Sequence, residues 1–199
     1  MNVKRRTQAE RSGATRSTLV AAGRSLFSER GYAGTGTEDI VERAGLTRGA
    51  LYHHFGDKRE LFMAVFEQLE EELVRKVAAR ASGASDAWQQ LVAGSEAFLD
   101  ACLEPAVQRI VLLDAPSVLG WATWREVDAR CGLGLTKSAL RAVMDAGVVA
   151  PQPVEPLAHM LLAALNEGAL YMASAEDRDR AREEVGATVS RLLEGLRAG

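Results

Sequence analysis

The side chains best suited to chemistry lie in one short stretch, Thr37-Glu-Asp-Ile-Val-Glu-Arg-Ala-Gly-Leu-Thr-Arg-Gly-Ala-Leu-Tyr-His-His-Phe55, followed by Gly-Asp-Lys58. Its hydroxyls, guanidinium, imidazoles and ammonium are donors for an anion. Arg48 carries the planar fork that pairs with a guanine edge, and the Tyr52 hydroxyl can reach a phosphate. Lys58, near a helix start, adds its charge to the helix dipole. Other groupings carry less. Gly45-Leu-Thr-Arg-Gly49 has the outline of a nucleophile elbow with threonine for serine, but that motif needs a preceding strand and helical periodicity flanks this one. Gly132-Leu-Gly134-Leu-Thr-Lys-Ser138 resembles a phosphate loop without the glycine before its lysine or the strand ahead of it. His53 and His54 are adjacent, so they point to different faces of a helix and make no metal pair. Glu155 and His159 have i, i+4 spacing without a further ligand cluster, so a surface helix pair is expected. No metal set or nucleophile–base pair stands out. A small all-α enzyme is therefore the disfavoured alternative, and no cofactor is expected.

These side chains need helices to hold them, and helical periodicity dominates the chain. Leu19, Ala22, Gly23, Leu26 and Phe27 share one face, and Gly31 stops that helix after Arg30. Two caps are open for the next helix: Thr35 with Glu38, or Gly36 with Asp39. This helix ends at Ala44-Gly45, Leu46 is expected to be buried in the turn, and Thr47 caps a helix from Arg48 to about Phe55. Two short helices joined by a Gly-Leu turn make a helix-turn-helix, with Ile40, Leu46 and Leu51 filling the shared core. The second helix is then free to lie in a major groove about 12 Å wide.

Asp57 caps a long fourth helix with the stripe Leu61, Phe62, Val65, Phe66, Leu69, Leu73 and Val77. After a linker capped at Asp86 comes a face of Trp88, Leu91, Val92, Ser95, Phe98, Leu99 and Cys102. A helix from Pro105 runs through Leu113, and Pro116 and Gly120 bracket an irregular stretch. The next helix, from about Thr123, is expected to be perturbed at Gly132 and Gly134. Prolines 151, 153 and 156 precede a helix from Leu157 to Met172, and a last helix carries Val185 to Leu196. The reading is all-α with about nine helices and no convincing strand.

Of the 199 residues, 24 are Lys or Arg and 27 Asp or Glu, for a formal net charge of −3. The split is uneven: residues 1–60 balance at +4 and residues 61–199 at −7. A basic front on an acidic body suits a polyanionic partner, although a solvated terminus is the plainer reading of charge alone. The arm Lys4-Arg5-Arg6 either enters a minor groove or makes weak nonspecific contacts as a disordered tail. No apolar run approaches a membrane span, and the N-terminus lacks the apolar segment of a secretion signal, so a cytoplasmic protein without a membrane partner is expected. Two unpaired cysteines, Cys102 and Cys131, fit a reducing compartment and exclude a disulfide scaffold.

Gly31-Tyr32, Thr35, Ile40, Ala44-Gly45-Leu46-Thr47, Gly49, Leu51-Tyr52, His54-Phe55 and Lys58 together resemble the DNA-binding domain of TetR-family transcriptional repressors, over about residues 15–62. The resemblance implies a homodimer in which residues 1–57 form a three-helix DNA-binding head. Residues 58–199 form a helical regulatory, ligand-binding and dimerisation body, joined through the helix starting near 57. It assigns phosphate contacts to Thr47, Tyr52, His54, Lys58 and Thr37 or its neighbour, and base-facing positions to Arg48 and His53, with Gly49 completing the set. Gly36 departs from the serine or threonine usual there. The implied partners are a double-stranded DNA operator and a small-molecule effector. An effector-free DNA-binding dimer is the alternative.

For the body, Trp88, Phe98, Cys102, Trp121, Trp124, Arg125 and Met144 are candidates to line an effector pocket, with ordinary core as the competing reading. His159, Asn166 and Glu167 are candidate polar contacts. Leu157, Leu161, Ala164, Leu165, Gly168, Val185, Val189, Leu192 and Leu196 lie on stripes that either pack internally or, as the resemblance implies, build a four-helix dimer interface.

Overall fold

The structure, a computed structural model, describes residues 8–197. The arm Lys4-Arg5-Arg6 lies outside the described residues. Among those described, nine α-helices and one π-helical segment occur, and the one β-type pairing is an isolated antiparallel bridge between Val149 and Arg197. The all-α reading holds.

Helix α1 (Gln8–Arg30) ends where Gly31 adopts φ +72, a conformation that disfavours a Cβ. A Cβ there would also collide with the guanidinium of Arg109. Helix α2 (Thr37–Ala44) is capped at Gly36, whose N–H donates to Asp39 Oδ2 at 2.8 Å. Of the two caps the sequence left open, this is the one formed. The Thr35 hydroxyl turns inward instead, donating to Gly31 O at 2.8 Å and Leu26 O at 3.2 Å. Gly45, at φ +63, closes α2, and Leu46 in the turn is half-buried rather than buried. Thr47 caps α3 (Arg48–His54), its hydroxyl accepting from Ala50 N at 3.2 Å. Ile40 and Leu51 are fully buried where α2 and α3 meet α1.

Asp57 starts α4 (Lys58–Ser82), which runs from α3 into the body. Helix α5 (Ala87–Ala101), capped by Asp86, packs along it. Helical structure then continues where the sequence predicted an irregular stretch. A π-helical segment, Val107–Asp114, runs directly into α6 (Ala115–Leu119), which contains Pro116. In the i→i+5 register Ala115 N bonds Ile110 O, so the carbonyl of Val111 would look to the N–H of residue 116, which proline lacks. The indole of Trp124 supplies the missing donor, 2.9 Å from Val111 O. The chain therefore keeps its helix through Pro116 and breaks only at Gly120, φ +89.

Helix α7 (Trp121–Asp145) is continuous, against the expectation of a perturbation at Gly132 and Gly134. Tertiary packing outweighs the intrinsic cost of glycine in a helix, about 1 kcal/mol each. Gly132 is small because Leu162 of the next helix lies against it: a Cβ there would come within 3.3 Å of Leu162 Cδ1. Helices α8 (Val154–Ser174) and α9 (Arg178–Glu194, capped by Asp177) complete the fold. Gly168 lies where α9 crosses α8, since a Cβ would be 2.8 Å from Val185 Cγ1, and Gly186 faces Arg182 and Glu96. Both glycines serve packing within one chain.

Candidate nucleic-acid interface and body cavity

The exposed side of the helix-turn-helix is built by α3 and its flanks. Thr47 is committed to its cap but exposed, and Gly49 is bare at the first turn. Arg48 stands in solvent, donating to Glu38 Oε1 at 2.9 Å with its guanidinium carbon 5.5 Å from the Tyr52 ring centre. Tyr52 and His53 are exposed, and His54, half-buried, meets His53 edge-to-face. Thr37, half-buried, opens α2 on the same side of the motif. An exposed Arg–Glu pair is worth little in water, at most about 1 kcal/mol, so Arg48 can leave Glu38 at small cost.

Lys58 is placed differently. Its ammonium donates to the carbonyls of Tyr32 (2.9 Å) and Thr35 (2.8 Å) and stands 4.0 Å from the centre of the Tyr32 ring. Partial burial pulls it down from the ordinary lysine value. Two of its three N–H donors are used in fastening the α1–α2 turn to α4, which leaves one for a phosphate.

The turn after α1 is tied to the π-segment, and the start of α4 to α6. Tyr32 N–H donates to Asp114 Oδ2 at 2.7 Å, and Arg109 pairs with the same carboxylate at 3.4 Å. Arg59 donates to the carbonyls of Val118 (3.1 Å) and Leu119 (3.0 Å), satisfying the open end of α6.

Between α4, α5, α7 and α8 lies a cavity of about 300 Å³, at the lower end of ligand-pocket sizes. Leu73, Val77, Leu91, Phe98, Leu161 and Leu165 are among its walls, and Glu70, Ser95, Thr136 and Asp128 are among its polar groups. Of the pocket candidates read from sequence, Phe98 lines it. Cys102 is buried beside it in the core, its thiol pushed up by burial. Trp88 is buried, with the guanidinium carbon of Arg197 5.0 Å from its ring. Trp124 is consumed by the π-segment, and Trp121, 57% exposed, stacks on its outer side. Arg125 and Met144 are half-buried away from the cavity. The structure does not bring these six together around the space that Phe98 faces.

The groups sequence reasoning passed over are Glu70 and Asp128, only 3% and 6% exposed. Burial first, and then the charge of Asp128, push the Glu70 carboxyl up to about 8. Burial pushes Asp128 up to about 6, opposed by the Asn166 amide, which donates to its Oδ2 at 2.9 Å, and by Arg125. A signal was present: Glu70 follows Leu69 and precedes Leu73 on the apolar stripe of α4, where a carboxylate is out of place. Asn166, a polar candidate, is buried on Asp128, while His159 and Glu167 are exposed. Glu155 engages Lys137 (3.2 Å) and His159 (3.7 Å) as a surface cluster.

On α8 and α9, Leu161, Leu165, Val185 and Val189 are buried within the chain. Leu157, Ala164, Gly168 and Leu196 are half-buried, while Leu192 is 56% exposed. Met160 and Tyr171, which share an α8 face with Ala164, are also exposed. No helix among the described residues is long and apolar enough to cross a membrane.

Residues 19–65 match the description "Bacterial regulatory proteins, tetR family", and residues 88–196 match "Tetracyclin repressor-like, C-terminal domain". A crystal structure of a TetR-family transcriptional regulator from Pectobacterium atrosepticum is similar at TM-score 0.88 and 39% identity, over 98% of this chain and 99% of that one. The HTH-type transcriptional regulator CymR of Pseudomonas putida is 38% identical over 132 residues, 64% of this chain and 65% of its own. The HTH-type transcriptional activator FasR of Mycolicibacterium smegmatis is 38% identical over 85 residues, 43% of this chain and 39% of its own. The matched stretch thus spans less than two thirds of the length of these curated relatives. All of these relatives are named as transcriptional regulators and none as an enzyme.

Proposed function

The chain belongs to the TetR family of bacterial regulatory proteins, and on that premise we propose that it is a homodimeric, sequence-specific DNA-binding repressor released from a palindromic operator by a small molecule. The observation that carries DNA binding is the exposed row of Arg48, Tyr52 and His53 on a helix whose other side is fixed by fully buried Leu51. Arg48 and His53 face base edges. Thr37, Thr47, Tyr52, His54 and the free donor of Lys58 hold phosphates, with Gly49 allowing close approach of the backbone. Two-fold symmetry requires half-sites about 34–36 Å apart or a modest multiple of that. The division is a head of residues 1–57 on a body of residues 58–199, working in the cytoplasm where the DNA is.

The dimer interface is formed by the outward faces of α8 and α9. The exposed Met160, Tyr171 and Leu192 make this face more apolar than solvent favours, and Leu157, Ala164 and Leu196 extend it. Leu161, Leu165, Val185 and Val189 support it from inside.

Release works through α4. The helix carries Lys58 at the DNA side and Glu70, Leu73 and Val77 at the cavity. The twelve-residue step from Lys58 to Glu70 is about 18 Å of helix. A ligand that binds better when α4 is tilted shifts the spacing of two rigid heads, and by linkage the operator weakens ligand binding by the same factor. A coupling of about 1–3 kcal/mol would reduce operator affinity about 5–150-fold. The cavity favours this reading over an effector-free dimer. Selection of bound duplexes from a random pool, followed by gel-shift titration with a compound panel, tests both halves. A two-fold symmetric consensus and ligand-sensitive binding are expected. An asymmetric single half-site would overturn the dimeric reader, and a duplex held equally with every cavity ligand would overturn release.

A further inference from the structure

The cavity is nearly all hydrocarbon, yet two carboxyl groups open onto it and, among the described residues, no lysine, arginine or histidine lines it. Asp128 has a partner in Asn166. Glu70 has none: it takes part in no hydrogen bond among the described residues, and only burial and the charge of Asp128 act on it. A side chain this buried normally carries a hydrogen bond, and an orphan carboxyl in the core costs stability. Here the orphan is at the wall of an open space, so a bound molecule can satisfy it.

Resting on the reading of this cavity as the effector site, we propose that it takes an apolar molecule bearing one cationic nitrogen, an alkyl- or arylamine, whose ammonium meets Glu70 with Asp128 as the second carboxylate. The hydrocarbon part fills the space between Leu73, Leu91, Phe98 and Leu161. An ammonium donor to a carboxylate makes a charge-assisted bond, roughly twice as strong as a neutral one. It also offsets the burial, and the lesser repulsion from Asp128, that favour the protonated form of Glu70. A molecule of the same shape ending in a carboxylate would add a third carboxyl group and a further negative charge to a dry site without a basic partner. An alcohol of that shape can donate to Glu70 but gains no charge term.

Isothermal titration of the full chain with 4-phenylbutylamine, 4-phenylbutanol and 4-phenylbutyrate tests this. The amine should bind about tenfold more tightly than the alcohol, and the acid more weakly than either. Glu70→Gln, which keeps the shape and removes the charge, should bring the amine down to the alcohol while leaving the alcohol unchanged. Asp128→Asn should reduce the amine's advantage in part, which gives a second route if the first variant folds poorly. Acid binding as tightly as amine, or an amine advantage that survives both substitutions, would overturn the cation assignment. Binding of all three without preference for the amine would overturn this assignment alone. Binding by none would remove the cavity reading with it.

Discussion

In the head the charged side chains end in water, and in the body the ones that matter end inside. Glu38 and Arg48 form their pair in the open, with side chains 68% and 62% exposed. Glu70 and Asp128 are almost sealed from solvent. The first arrangement costs nearly nothing to break, so the guanidinium can exchange a carboxylate for a base edge or a phosphate. The second holds an unfavourable charge balance that only protonation or a partner can relieve. A surface that must read many sequences and release most of them needs replaceable contacts. On the proposed reading of the cavity, a site left unsatisfied until one molecule arrives suits a sensor of that molecule.

Lys58→Ala should give the largest effect, because this cation belongs to neither pattern: it is half-buried, and the α1–α2 turn hangs on it. Loss of two charge-assisted bonds should lower stability by about 3 kcal/mol, read by urea unfolding, and weaken all duplexes alike. Unchanged stability would return Lys58 to the class of free surface cations.

Glu70→Gln comes next and tests the body. The native carboxyl titrates near 8 and the unfolded one near 4.5, so between these values the folded state holds more protons and stability falls as pH rises. The glutamine variant should therefore match the parent below about pH 4.5 and exceed it by about 2 kcal/mol at pH 6 in thermal melts. A parent whose stability rises over that interval with no gain from Gln would place the charge penalty elsewhere.

Arg48→Ala should cost about 1–2 kcal/mol of operator affinity and relax preference at one base pair, toward the low end of a bidentate contact because Glu38 must first be released. Competition binding with single-base variants of the selected operator measures it, and a loss equal across all sequences would make Arg48 a phosphate contact. Leu192→Lys should be the mildest for the fold, within about 0.5 kcal/mol, since the side chain is mostly exposed. It should nonetheless shift the sedimentation equilibrium toward monomer. An unchanged dimer would move the interface off α9.

The head was legible because its rules are local. Gly31, Gly45, Thr47 and Asp57 each mark a boundary through bonds spanning a few residues, and all four ends lie where these residues predict. The choice between the Thr35 and Gly36 caps was not local: it depends on the carbonyls of Leu26 and Gly31 claiming the Thr35 hydroxyl. In the body the deciding neighbours are distant. Nothing near Pro116 shows that Trp124 will support a widened helix, and nothing near Gly132 shows that Leu162 will cover it. Aromatic residues in a body of this kind are expected as pocket walls. The space instead fell where small residues such as Gly94, Ala139 and Ala142 leave room between helices. An acidic residue inside an apolar stripe was the better sign, since charge is placed there only at a cost.

The tie between Trp124 and the carbonyl that Pro116 leaves open has an optical consequence. Neither Trp88, Trp121 nor Trp124 lines the cavity, so emission from these indoles does not register its filling by direct contact. Trp124 is instead bonded to Val111 of the segment whose Asp114 holds Tyr32 and Arg109, and Trp121 lies stacked on it. Under the proposed release through α4, the pair would report on the tie between Tyr32 and Asp114. In a titration its brightness should follow the pose of that tie. A compound that occupies the cavity yet leaves the emission unchanged would be recognised at once as one that binds without moving the heads.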